Sequence, residues 1–186
     1  MLFRSSASQR PIDDLGKSIG RWDADGRNRA GLRIIAGPGN RHAFQMISFS
    51  PSGNRAALVT AHFRDICLAT VRDDRLEVFA SVPRGFDYVS QSVWRDDDHV
   101  LFVGRRGTDR QELWEITVST GAVTKRGIDG LWLRDQLALS PDRQSVVVTA
   151  VADSETSHWN VWQYSLATQR KRRITQGTED IVASWR

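Results

Sequence analysis

Phe49-Ser50-Pro51-Ser52-Gly53-Asn54 is the stretch on which the reading of this chain turns. The same device returns at Trp94-Arg95-Asp96-Asp97-Asp98-His99 and at Leu139-Ser140-Pro141-Asp142-Arg143-Gln144. Another aromatic, Trp185, follows at nearly the same interval of about 45 residues, the length a four-stranded propeller blade needs. Ser at the first position of a turn, Pro at the second and Gly at the fourth suit a type I turn. An apolar residue precedes each turn, and a run of small, β-branched or aliphatic residues follows it. The spacing and the turn chemistry together predict radial β repetition.

Working outward, each copy predicts four strands. In the first repeat these are Gln45–Phe49, Arg55–Thr60, Ile66–Val71 and Arg75–Ser81, with Arg72-Asp73-Asp74 turning the last pair. The second repeat gives Ser90–Trp94, His99–Gly104, Leu113–Val118 and Ala122–Lys125, turned at Ser119-Thr120-Gly121. The third gives Leu137–Leu139, Ser145–Ala150, Asn160–Ser165 and Lys171–Thr175, turned at Ala167-Thr168-Gln169. Aligned on these turns, Ile19, Cys67, Trp114 and Trp162 occupy equivalent places. Alternation within the strands is imperfect, as expected where both faces of a blade pack on neighbours. No segment has helical periodicity with caps.

The fold class expected is therefore all-β, a propeller of about four blades' worth of four-stranded antiparallel sheets. Residues 1–43 read as an incomplete blade holding its last three strands. Residues 44–89, 90–136 and 137–180 read as blades, and 181–186 as the first strand of a next or closing one. Sixteen strands could close a four-blade ring. The repeat nevertheless starts and ends mid-blade without a capping sequence, which favours a fragment of a larger propeller.

Composition sets limits on function. The chain has 186 residues, 40% hydrophobic and 26% charged, ordinary for a globular domain. Its formal charge of +4 tempts a nucleic-acid reading, but the cations are interspersed with acids and only Arg170-Lys171-Arg172-Arg173 forms a basic run. Nucleic acid is not expected as a partner. No apolar run is long enough for a membrane helix, and the N-terminus lacks the apolar core of a signal peptide. As written the chain reads as cytoplasmic, with a periplasmic full-length parent still open. The single cysteine, Cys67, allows no internal disulfide and reads as a buried small hydrophobe. The histidines, His42, His62, His99 and His158, share no metal-ligand spacing, and no cofactor is implied.

The quoted turns resemble TolB-like propeller repeats, whose usual form is an aromatic-Ser-Pro-Asp-Gly turn followed by an aliphatic strand. The middle stretch, from Val93-Trp94 to Leu113-Trp114-Glu115-Ile116, is similar to the N-terminal propeller of prolyl-oligopeptidase-family serine peptidases. The resemblance covers about residues 18–186. It implies a propeller that filters substrate or docks peptide and protein partners, the catalytic Ser, Asp and His lying on an α/β-hydrolase domain absent from this chain. A TolB-type interaction propeller of a bacterial envelope complex is the alternative.

No catalytic residue is expected here. Gly16-Lys17-Ser18-Ile19-Gly20 matches the G-x-S-x-G elbow, but that elbow needs a strand before its serine and a helix after it, and here a turn follows. The same glycine and lysine fail as a phosphate-binding loop, because the first glycine would fall at Pro11. A sugar- or nucleotide-processing enzyme would need a convergent acid/base set, which is lacking. The candidate partner-facing residues lie instead in loops expected on one propeller face. They are His62, Arg64 and Asp65; Arg105, Arg106, Asp109 and Arg110, which could dock an acidic peptide or a partner domain; Glu155 and His158; and Trp132. Trp132 and Trp159 are the tryptophans expected to be exposed; the others read as inter-blade packing.

Overall fold

The computed structural model describes residues 18–22, 28–35, 44–73, 75–82, 85–107, 110–154, 158–177 and 180, with side chains from Phe44 onward. Residues 1–17 of the expected incomplete blade, the expected strand at 181–186, and the candidates Asp109 and Glu155 lie outside them.

Among the described residues there are fourteen strands: β1 Ser18–Trp22, β2 Asn28–Ile35, β3 Phe44–Phe49, β4 Arg55–Thr60, β5 Ile66–Arg72, β6 Arg75–Val82, β7 Tyr88–Trp94, β8 His99–Arg105, β9 Glu112–Thr117, β10 Ala122–Lys125, β11 Leu131–Leu139, β12 Ser145–Ala152, β13 Asn160–Ser165 and β14 Lys171–Arg173. Strands β3 to β6, β7 to β10 and β11 to β14 form three antiparallel meanders, the three blades the repeat predicts.

Each turn is built as its residues dictate. The Gly53 amide donates to the Ser50 carbonyl at 2.9 Å, and Gly53 takes a left-handed φ of 75°. The buried Ser50 hydroxyl accepts the Arg55 amide at 3.2 Å, and the Ser140 hydroxyl accepts the Ser145 amide at 2.9 Å. That repeated serine closes the turn from inside. In the middle copy Arg95 stands in its place and the loop is one residue shorter: Trp94 pairs with Val100, whereas Phe49 pairs with Ala56 and Leu139 with Val146. The Asp96 carboxylate serves there instead, accepting the Asp98 amide at 2.8 Å. The turns between third and fourth strands share a left-handed residue, Asp73, Gly121 or Gln169.

Three features differ from expectation. Strand β11 begins at Leu131 rather than Leu137, because Arg134, Asp135 and Gln136 form a bulge that breaks the alternation. β1 and β2 form no separate sheet; the hairpin they make adds to the outer edge of blade 1, β2 running parallel to β6. Finally, the first strands of all three blades carry a register shift, between Phe44 and Met46, Val89 and Ser92, and Leu133 and Leu137.

The core is layered between blades. Ala57, Val59, Ile66 and Leu68 of blade 1 pack against Phe86, Trp94, Val100, Phe102 and Ile116. Leu101, Val103 and Leu113 of blade 2 pack against Leu133, Leu137, Val146, Val148 and Tyr164 of blade 3. Cys67 is fully buried in a third cluster with Ala56, Leu58 and Leu76, and burial pushes its thiol pKa up. Cys67, Trp114 and Trp162 each face the side away from the following blade, so the expected equivalence of these three holds.

Candidate functional site

The antiparallel meanders send two sets of connections to opposite ends of the blades. The Ser-Pro turns and their counterparts occupy one end. The β4–β5, β8–β9 and β12–β13 loops share the other with the connections between blades, and the sequence candidates gather there.

In the first loop His62 and Arg64 are exposed and Asp65 half-buried. Between His62 and Arg64, Phe63 takes a left-handed φ of 53°, a strained position for a bulky side chain. Two contacts from blade 2 hold it: its carbonyl accepts the Val89 amide at 2.6 Å, and its ring stacks on Tyr88 with centroids 5.7 Å apart. The Asp135 carboxylate, from the β11 bulge, lies beside the Tyr88 phenol. Burial, with that carboxylate beside it, pushes the phenol pKa up to about 12.

The second loop rests on an aromatic platform. Phe86 lies edge-on to Trp114 at 4.9 Å and to Phe102 at 5.4 Å. Gly104 makes room for it, since a Cβ there would stand 2.9 Å from both Phe86 and Phe102 ring atoms. The exposed Arg106 lays its guanidinium over Phe86, 5.7 Å from the ring centroid, and passes across Gly85. The Asp87 carboxylate accepts the Gly107 amide at 2.9 Å and pins the loop. Arg105, paired with Tyr88 across β7 and β8, is half-buried beside this platform.

Further round, Arg110 stacks on Trp132 at 4.8 Å while one of its nitrogens donates to both oxygens of Asp153, each at 3.2 Å. Trp132 is 42% exposed, as expected from its place beside a connection. Trp159, expected to be exposed, is half-buried under Arg134, whose guanidinium lies 5.1 Å from its ring. His158 is exposed next to it, on blade 3, while His62 lies on blade 1.

The structure thus joins Arg110 with Trp132 directly, sets Arg106 on the Phe86 platform with Arg105 paired to Tyr88, and places the two histidines on blades 1 and 3. Sequence reading missed Phe63, Phe86, Tyr88, Asp135 and Asp153. The left-handed Phe63 carries no sequence signal, the Arg–aromatic pairs of this face span 20 residues or more, and Arg110–Trp132 crosses between blades. Among the described residues no group of three or more His, Cys, Asp or Glu could hold a metal ion, and no helix is long and apolar enough to cross a membrane. Ser18 opens strand β1 rather than standing at a strand-to-helix turn.

Comparison with solved structures decides the architecture. TolB from Acinetobacter baumannii superposes with a TM-score of 0.63 at 18% identity, covering 90% of this chain and 40% of its own. The fold is that of a TolB-like β-propeller. Puromycin hydrolase matches it comparably, with a TM-score of 0.61 at 15% identity over 91% of this chain and 26% of its own. A protein from Bacteroides uniformis described as a 6-phosphogluconolactonase follows at 0.52 and 15%, covering 83% of this chain and 52% of its own. The chain therefore spans about half or less of these relatives. No family model matches the sequence, nor does any curated protein. Since the TolB-like fold is shared with proteins named as a hydrolase and a lactonase, the fold by itself does not separate catalytic from non-catalytic chains.

Proposed function

We propose that the chain is a propeller segment without catalytic machinery of its own that docks or gates peptide or protein partners through the β4–β5, β8–β9 and β12–β13 loop face. The observation that carries this reading is the Arg110–Trp132–Asp153 cluster. A large indole left 42% exposed, with a guanidinium laid over it, is the residue chemistry that dominates protein-binding hot spots. The neighbouring Arg106–Phe86 platform extends the same chemistry across two blades. In this reading the chain is similar to the accessory propeller of a prolyl-oligopeptidase-family serine peptidase, and an α/β-hydrolase domain elsewhere would do the chemistry. The TolB likeness, of equal strength, supports a second reading as a TolB-type interaction propeller of a bacterial envelope complex.

The test is to select peptides from a random library on the 186-residue chain and map them by hydrogen exchange. Bound peptides are expected to protect the amides of His62, Arg106 and Gln111, and Trp132→Ala is expected to weaken them. Protection confined to the Ser-Pro turn end would refute the docking face. Ester hydrolysis abolished by Ser18→Ala would refute the non-catalytic reading.

A further inference from the structure

The loop face holds the same guanidinium arrangement twice, once complete and once half-assembled. At Arg110 the planar guanidinium lies on the Trp132 ring and its N–H edge is taken by the Asp153 carboxylate. At Arg106 the guanidinium lies on the Phe86 ring, yet among the described residues no acceptor meets its edge and no carboxylate pairs with it. The nearby Asp87 carboxylate already accepts the Gly107 amide. On the adjacent loop Arg64 is likewise exposed and without an ion pair among the described residues.

We propose that Arg106 is the receptor for a carboxylate on an acidic peptide segment of the partner, which takes at Arg106 the place that Asp153 takes at Arg110. The inference rests on the docking reading above and adds the chemistry of the ligand. Stacking uses the π face of a guanidinium and leaves its in-plane donors free, in the geometry that suits a carboxylate. Phe86 is itself fixed by Trp114, Phe102 and the gap at Gly104, so the cation is held in place before any partner arrives. Gly85, at φ 83°, lies against the Arg106 guanidinium, where an added Cβ would stand 3.6 Å from its Nε. The carboxylate reading is favoured over phosphate by the internal precedent of Asp153.

The experiment is calorimetric titration of the whole chain with four synthetic peptides of one neutral scaffold. The first is capped at both ends and carries glutamates, the second has only a free C-terminal carboxylate, the third carries phosphoserine and the fourth lysines. Binding of the first locates the carboxylate on side chains, and binding of the second locates it at a chain end. Either affinity is expected to drop about 10- to 100-fold in Arg106→Gln, the range for a charged hydrogen bond. Arg106→Lys, which keeps the charge but loses the planar fork, is expected to recover little of it. Melting curves of both variants should match the parent, since the side chain is exposed. Equal binding of the lysine peptide, binding of the phosphoserine peptide alone, no binding of any peptide, or an unchanged affinity in Arg106→Gln would overturn the proposal. Library peptides that lack acids yet protect the loop face would leave the docking reading standing while this inference fell.

Discussion

Blade 1 meets blade 2, and blade 2 meets blade 3, across seams built from the same repeat, yet the two are held differently. The first seam is apolar inside, with Val59, Ile66, Leu68, Val100 and Phe102 buried. Its polar links are direct: the Trp94 indole donates to the Ser48 carbonyl at 3.1 Å, and the Ser48 and Ser92 hydroxyls are 2.9 Å apart. At the turn end the Ser52 amide donates to Asp97 at 3.0 Å, and Arg55 reaches Asp98 at 3.2 Å.

The second seam carries charge in its interior. Glu115, 2% exposed, is gripped by Arg95 at 3.4 Å and by Arg126, whose carbonyl also accepts the Tyr164 hydroxyl at 3.3 Å. Buried acceptors without a hydrogen-bond partner among the described residues gather on this side, at Gln111, Asp135, Gln136 and Asn160. Blade 1 contributes only Thr60 to that group. A satisfied apolar contact and a polar contact with orphaned acceptors cost very different amounts to open. On these grounds the first seam is expected to be the harder of the two to open.

The sharpest break of this comparison is Phe102→Ala. Emptying the first seam is expected to cost about 3–5 kcal/mol in urea unfolding, and a loss under about 1 kcal/mol would show that the seam is not packed as described. Next comes Glu115→Ala, expected to cost about 2–3 kcal/mol. That is less than a fully enclosed pair loses, because Arg95 and Arg126 keep part of their surface in water. Replacing Arg95, Glu115 and Arg126 together by Met, Leu and Met should be close to neutral in the same assay. A large loss in the triple variant would make the triad a net stabiliser and invert the ranking of the seams. Ser48→Ala, which removes one hydroxyl contact, should cost about 1 kcal/mol.

Acid supplies the smallest effect. Asp97 is held below the usual carboxylate range by the Ser52 amide and hydroxyl, and Asp98 by the Ser119 hydroxyl, whose amide adds to it. Both folded-state values lie below the unfolded ones, so the stability they contribute is present above about pH 4 and is lost as pH falls through the folded values. The melting temperature should fall between pH 5 and pH 3, and less so in Asp98→Asn. An equal fall in the variant would place the acid sensitivity elsewhere.

The sequence carried the repeat plainly because its signals are local. A serine whose hydroxyl reaches an amide five residues on, a residue turning left-handed between third and fourth strands, and an aliphatic run after each turn all lie within one blade. Strand β10 and strand β13 were legible to the residue. The start of β11 was not, since the bulge at Arg134-Asp135-Gln136 replaces alternation with three consecutive polar residues. The pairing of β2 on β6 joins segments about 40 residues apart in a parallel sense that no turn announces. For the site, the loops could be named but their partners could not. Arg110 reads as an ordinary loop cation until Trp132 and Asp153 arrive from the next blade.

The outer edges of the blades carry one more lesson. A meander ends in a strand whose second row of amides and carbonyls faces water, an open template for any other extended chain. Blade 1 fills that row at its upper part with β2, through Arg33, Ile34 and Ile35 against Arg75, Leu76 and Glu77. Blade 3 ends instead in a strand of only three residues, Lys171-Arg172-Arg173, the last three of the four-residue basic run. A short row of like charges repels a second copy of itself. The run that first suggested nucleic acid thus also charges this edge, which disfavours edge-to-edge pairing with a second copy.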